Sequence, residues 1–172
     1  MPPVAQASLK PELNSTTHIH QIYIRTTAQA IWDAITDPAW NGRYGYRATS
    51  EYDLRPGGKF RALANDKMRS YGLPETIIDG EVIEVKPPLK LVQTYRWLFN
   101  DAHKAEGFSR LTFEIAPTES GFCLLTITHD TGGATMMSAA TQATYNTQGG
   151  GGWNWILSDL KSLLETGKIM SA

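Results

Sequence analysis

The stretch Trp153-Asn154-Trp155-Ile156-Leu157-Ser158-Asp159-Leu160-Lys161-Ser162-Leu163-Leu164-Glu165 decides the fold. Trp153, Ile156, Leu157, Leu160, Leu163 and Leu164 recur at the three- and four-residue spacing of one helix face, with Asp159, Lys161, Ser162 and Glu165 between them. Gly167 stands where a left-handed C-cap would close that helix. A stripe of this length needs another apolar surface to cover it, so the rest of the chain must supply one.

Moving toward the N-terminus, Gly149 to Gly152 read as a hinge ahead of the helix, and Thr131–Gln148 as a lid with helical potential at Met136–Tyr145. Before them the punctuation is that of an antiparallel meander. Pro56-Gly57-Gly58 separates Tyr46–Leu54 from Lys59–Ala64, Pro87-Pro88 separates Ile78–Val85 from Leu89–Leu98, and Ser120-Gly121 separates Leu111–Ile115 from Phe122–His129. Arg110-Leu111-Thr112-Phe113-Glu114-Ile115 alternates cleanly, with Leu111, Phe113 and Ile115 on the buried face. By the same period Cys123, Leu125, Ile127 and His129 share a face, which leaves His129 ending an apolar row.

A further strand is expected at His18–Ile24, rich in β-branched and aromatic residues. After it, Thr26 and Gln29 form a capping-box pattern for a short helix carrying Ala28, Ile31, Trp32 and Ile35, which Asp37-Pro38 ends. Strand, helix, six strands and a long helix, without βαβ alternation, predict an α+β class in which a curved antiparallel sheet of about six or seven strands wraps the C-terminal helix. Residues 1–17, with Pro2, Pro3 and Pro11, read as a flexible tail, and residues 18–172 as one domain.

Composition narrows the function classes. The 172 residues hold 16 Lys+Arg against 17 Asp+Glu, a net charge of −1 that gives no surplus for nucleic acid or an anionic membrane surface. Cys123 is the only cysteine, which rules out an intramolecular disulfide and every multi-cysteine metal site; on the apolar face of its strand it reads as a small buried hydrophobe. No run approaches the roughly 18 apolar residues of a membrane span, and the N-terminus lacks a signal h-region, so a cytoplasmic location is expected. His18 and His20 share a strand face but have no placed carboxylate beside them, so no metal site is expected and both read as exposed strand-edge histidines. Glu81 and Glu84 have opposite parity, do not form a carboxylate pair, and read as a solvated strand face, with Glu84 sharing the parity of Val82.

Four segments in order then resemble the START/Bet-v-1-like (SRPBCC) superfamily, and within it the branch named after the C-terminal domain of the heat-shock-protein-90 ATPase activator. They are Ala30-Ile31-Trp32-Asp33-Ala34-Ile35-Thr36-Asp37-Pro38, Gly80-Glu81-Val82-Ile83-Glu84-Val85 with Pro87-Pro88 and Leu91, Thr128-His129, and Gly152-Trp153 through Leu163-Leu164-Glu165. The resemblance covers about Thr17 to Thr166. It implies a helix-grip fold with a cavity between sheet and helix that often holds an apolar or amphipathic ligand, and it does not imply one reaction. The chaperone-activating members carry an additional N-terminal domain, for which residues 1–17 are too short.

On that architecture, the cavity is expected to be lined by Trp32, Trp40, Tyr44, Tyr46, Phe60, Tyr95, Trp97, Phe99, Phe113 and Trp153, with His129 and Tyr95 orienting a ligand. Gln93, Tyr95 and Trp97 share one strand face; the opposite register would bury the Arg96 guanidinium. The leading expectation is binding of a small hydrophobic or aromatic-containing ligand without a cofactor. The alternatives are a polyketide cyclase, dehydratase or hydrolase using His129 as general acid/base with Tyr95, and a protein-interaction or chaperone-associated module, including a homodimer.

Overall fold

The computed structural model describes residues 16–142 and 146–171. Most of the expected tail, and part of the expected lid at 143–145, lie outside the described residues. The elements run β1 (Thr17–Ile24), α1 (Ala28–Thr36), α2 (Pro38–Asn41), β2 (Thr49–Tyr52), β3 (Lys59–Leu63), α3 (Asp66–Ser70), β4 (Thr76–Lys86), β5 (Lys90–Trp97), α4 (Asp101–Ala105), β6 (Ser109–Pro117), β7 (Cys123–Asp130), α5 (Thr135–Thr141) and α6 (Gly152–Thr166). The strands form one antiparallel sheet in the order β1-β7-β6-β5-β4-β3-β2, so the first strand pairs with the last and the curved sheet stays open.

The sheet grips α6 as the sequence periodicities require. Leu111, Phe113 and Ile115 of β6 and Leu125 and Ile127 of β7 are buried, and the ladder sets Leu111 opposite His129, Phe113 opposite Ile127 and Ile115 opposite Leu125. Trp153, Leu157 and Leu160 of α6 bury against this face, and α1 adds Ile31, Trp32, Ala34 and Ile35 to the same core. Gly167, at φ 75°, closes α6 in the left-handed conformation that glycine adopts without a Cβ penalty. Cys123 is buried, with its thiol donating to the Thr26 carbonyl at 3.4 Å. Among the described residues, no helix is long and apolar enough to cross a membrane.

Several local expectations are corrected. The cap of α1 is Thr27, whose hydroxyl accepts from Ala30 N at 3.1 Å; Gln29 donates to Asp33 at 2.8 Å rather than closing a box with Thr26. The second strand is Thr49–Tyr52 and not Tyr46–Leu54, because Gly45 (φ 61°) and Arg47 (φ 60°) bend the chain ahead of it. Three short helices not anticipated from periodicity, α2, α3 and α4, are nucleated by side-chain caps from Asp37, Asn65 and Asn100. In β4 the register shifts between Val82 and Glu84, so Val82 is fully buried while Glu84 faces solvent between Lys86 and Lys90. His18 and His20 are not exposed edge histidines: His18 is buried under α5, bonded to Ser138 and Gln142, and His20 contacts Asn154 at the start of α6.

Candidate functional site

Sheet and helix do not close completely. A cavity of about 390 Å³ remains between β2–β7, the N-terminal half of α6 and the end of α5, a volume within the usual range for small-molecule sites. Of the expected aromatic residues, Tyr44, Tyr46, Phe60, Tyr95, Trp97, Phe99, Phe113 and Trp153 stand on its wall. Three expected residues do not. Trp32 points into the solid core between α1, β6 and α6, and Ile35 on the same helix face reaches the wall instead. Trp40 is turned outward by the short helix that Asp37 caps, where Arg43 stacks on it at 4.4 Å. His129 lies behind the wall.

The surroundings of His129 explain its burial. Its Nε2 is 2.8 Å from Ser109 Oγ, and Ser109 Oγ donates to the Tyr95 carbonyl at 2.8 Å. That spends the serine proton, so Nε2 carries the hydrogen and donates to Ser109. Nδ1 is then the acceptor for the Trp153 indole N–H at 3.1 Å. One neutral tautomer satisfies all three groups, while the Tyr95 and Trp153 rings pack edge-on against the imidazole at centroid distances of 5.4 and 6.0 Å. Burial, reinforced by His18 and His20, lowers its pKa to about 4, with Asp130 opposing. With both nitrogens engaged and no face on the cavity, the imidazole holds Tyr95, through Ser109, and Trp153 in place.

The polar groups that do reach the cavity are few and mostly committed. Tyr44 donates from its hydroxyl to the Ala34 carbonyl at 2.9 Å, and Tyr52, not singled out from sequence, donates to the fully buried Gln93 at 3.0 Å. Burial raises the phenol pKa of both, and pushes that of Tyr95 up to about 12. Aliphatic wall comes from Ala62, Met68, Leu73, Ile77, Ile156 and Leu157. Arg47 is the only charged side chain on the described wall, and it is an exposed residue at the mouth whose guanidinium donates to the Ser171 carbonyl at 3.2 Å.

The mouth is framed by Gly45–Arg47 and the glycines before α6. Tyr46 Oη accepts from Gly151 N at 3.2 Å. Asp159, fully buried on α6, accepts from Gly45 N at 2.8 Å, Met170 N at 2.8 Å, Ser171 N at 3.1 Å and Ser171 Oγ at 2.8 Å, fastening both the loop and the C-terminal segment to the helix. At the other end, Glu106 accepts from Thr135 Oγ1, Met136 N and Met137 N, capping α5, which has no side-chain cap of its own. Among the described residues no group of three His, Cys, Asp or Glu could hold a metal ion.

An open antiparallel sheet gripping a C-terminal helix over an aromatic-walled cavity defines a helix-grip protein of the SRPBCC type. The chain belongs to the Activator of Hsp90 ATPase homolog 1-like protein family, which it matches over residues 25–165. Solved structures share the fold. CalU16 from Micromonospora echinospora aligns in solution with TM-score 0.60 at 19% identity, over 90% of this chain and 68% of that one. PFC0360w from Plasmodium falciparum, an HSP90 activator, aligns with TM-score 0.52 at 20% identity over 90% and 91% of the two chains. DynU16, from the dynemicin biosynthetic locus, aligns with TM-score 0.61 at 15% identity, over 91% of this chain. The chain spans 64% of the length of the CalU16 crystal chain and 49% of DynU16. No curated protein matches the chain.

Proposed function

We propose that this protein binds a small hydrophobic or aromatic-containing molecule in the cavity between the sheet and α6. The observation that carries the reading is the wall itself: nine aromatic side chains surround about 390 Å³ of space that a well-packed interior would fill. Burying a few hundred Å² of ligand surface at about 25 cal/mol per Å² supplies useful affinity before the entropic cost of binding. The location of DynU16 in a biosynthetic locus is in keeping with a small-molecule role. A cyclase-like reaction centred on His129 loses support from the closed hydrogen-bond circuit around that residue. A chaperone-associated role rests on the family match and on PFC0360w.

Ala62, buried in β3 with its Cβ on the cavity wall, offers the test. Across a lipid, sterol and polyketide panel, a ligand at a hundred times its Kd should raise the melting temperature of the wild type by roughly 5–10 °C. Ala62→Phe, which fills the space, should melt near the wild type and show no shift. A wild type that shifts with nothing, and carries no co-purified species in native mass spectrometry, would overturn the reading.

A further inference from the structure

The Tyr95 hydroxyl is a polar group of the inner wall, away from the mouth where Tyr46 sits, with no acceptor for its proton. Tyr44 and Tyr52 spend their protons on Ala34 and Gln93, whereas among the described residues no acceptor stands within reach of the Tyr95 proton. The Trp97 Nε1–H, two residues along the same face of β5, is buried with no hydrogen-bond partner among the described residues, so it too is a donor left open on this wall. With no acceptor among the described residues, the Tyr95 proton is free to meet an acceptor in the cavity.

The donor is also held in place. Its ring lies nearly parallel to Phe60 (centroids 6.0 Å, 14°), meets His129 edge-on and tilts against Trp153 at 6.5 Å. Its carbonyl is fixed by Ser109, and Ser109 by His129. A clamped donor in an apolar cavity forfeits a hydrogen bond unless the occupant provides an acceptor, which is how buried polar groups impose selectivity. The interior wall has no carboxylate, and its one cation is outside at the mouth, so nothing there compensates a ligand charge.

Resting on the reading of the cavity as a ligand site, we infer that the natural occupant is an uncharged ring-containing molecule bearing a carbonyl or similar acceptor oxygen, which the Tyr95 hydroxyl reads. In this arrangement His129 is a positioning residue, acting on Tyr95 through Ser109 and its own ring edge. Burial keeps the phenol protonated, and so a donor, throughout the neutral range.

Fluorenone and fluorene have nearly the same rigid shape and differ in C=O against CH₂, so the pair isolates the acceptor. Calorimetric or fluorescence titration of both into wild type and Tyr95→Phe should show the fluorenone-to-fluorene affinity ratio falling about five- to tenfold in the variant, with fluorene binding unchanged. The carbonyl infrared band of bound fluorenone should lie at the hydrogen-bonded position in the wild type and at the apolar-solvent position in Tyr95→Phe. The wild-type band by itself already shows whether a cavity donor meets the carbonyl, so the test survives a variant that folds poorly. An unchanged ratio, or an apolar band position in the wild type, overturns the inference while leaving the cavity reading intact. Failure of both compounds to bind overturns the cavity reading and the inference together.

Discussion

His129→Ala should lower the unfolding free energy by about 3–5 kcal/mol, because it strands the Ser109 hydroxyl and the Trp153 N–H and opens a hole between buried rings. For a chain of this size the melting temperature should fall by roughly 10–15 °C. The same circuit sets a pH dependence. The imidazole is held neutral with a pKa of about 4, whereas the unfolded chain takes up a proton near 6.5. Stability is therefore full above pH 6.5 and is lost as the pH falls from 6.5 toward 4, by on the order of 3 kcal/mol in total. His18, also lowered by burial and by His20, acts in the same direction on the adjoining strand, with Asp130 opposing in both cases. Melting curves at pH 7.5 and 5.0 check this: the wild type should lose more stability between them than His129→Ala does. Equal losses, or a variant that melts like the wild type, would contradict the structural role.

Asp159→Ala should cost about 3 kcal/mol by removing a charged acceptor shared among four donors. Burial opposes ionisation of this carboxyl, but hydrogen bonds from Ser171, Gly45 and Met170 together outweigh it and hold its pKa below the ordinary value. Its contribution is thus complete above the ordinary carboxylate value of 3.8 and lost as the pH falls through the lowered one. Because the donors belong to the cavity mouth and the C-terminal segment, the damage should be local as well as global. Hydrogen exchange should accelerate at residues 44–48 and 168–171 ahead of the β6–β7 core. Uniform exchange across the sheet would show instead that Asp159 acts only on overall stability.

The parts of the fold legible in the sequence are those where one periodicity runs uninterrupted. Leu111, Phe113 and Ile115 alternate into the core, the α6 stripe packs as spaced, and Gln93, Tyr95 and Trp97 share the inward parity while Arg96 pairs outward with Asp79 at 2.6 Å. Parity failed at Glu84, where the bulge in β4 resets the count. Spacing also cannot tell which of several aromatics meets empty space. Trp32 and Ile35 occupy one helix face yet fall on opposite sides of the core boundary, and a four-residue helix capped by Asp37 sufficed to turn Trp40 away. His129 ends the buried row of Cys123, Leu125 and Ile127, as the period of two in β7 requires. Its distance from the cavity depends on where Trp153 lies, a contact across 24 residues that neither segment encodes alone. Tyr52 carries a weaker sequence signal still, since its role depends on the buried Gln93 three strands away.

The carboxylate of Glu106 illustrates how this scaffold divides its labour. The helix at the far end of the cavity takes its cap from the connection between β5 and β6, nearly thirty residues upstream in the chain. That helix is consequently not a transplantable module. A chimera that exchanged only residues 131–148 with a relative would separate the helix from its anchor, whereas one that moved the 100–108 connection along with it would preserve the docking. Recombination between family members should accordingly tolerate crossovers that keep these two distant segments in the same parental block.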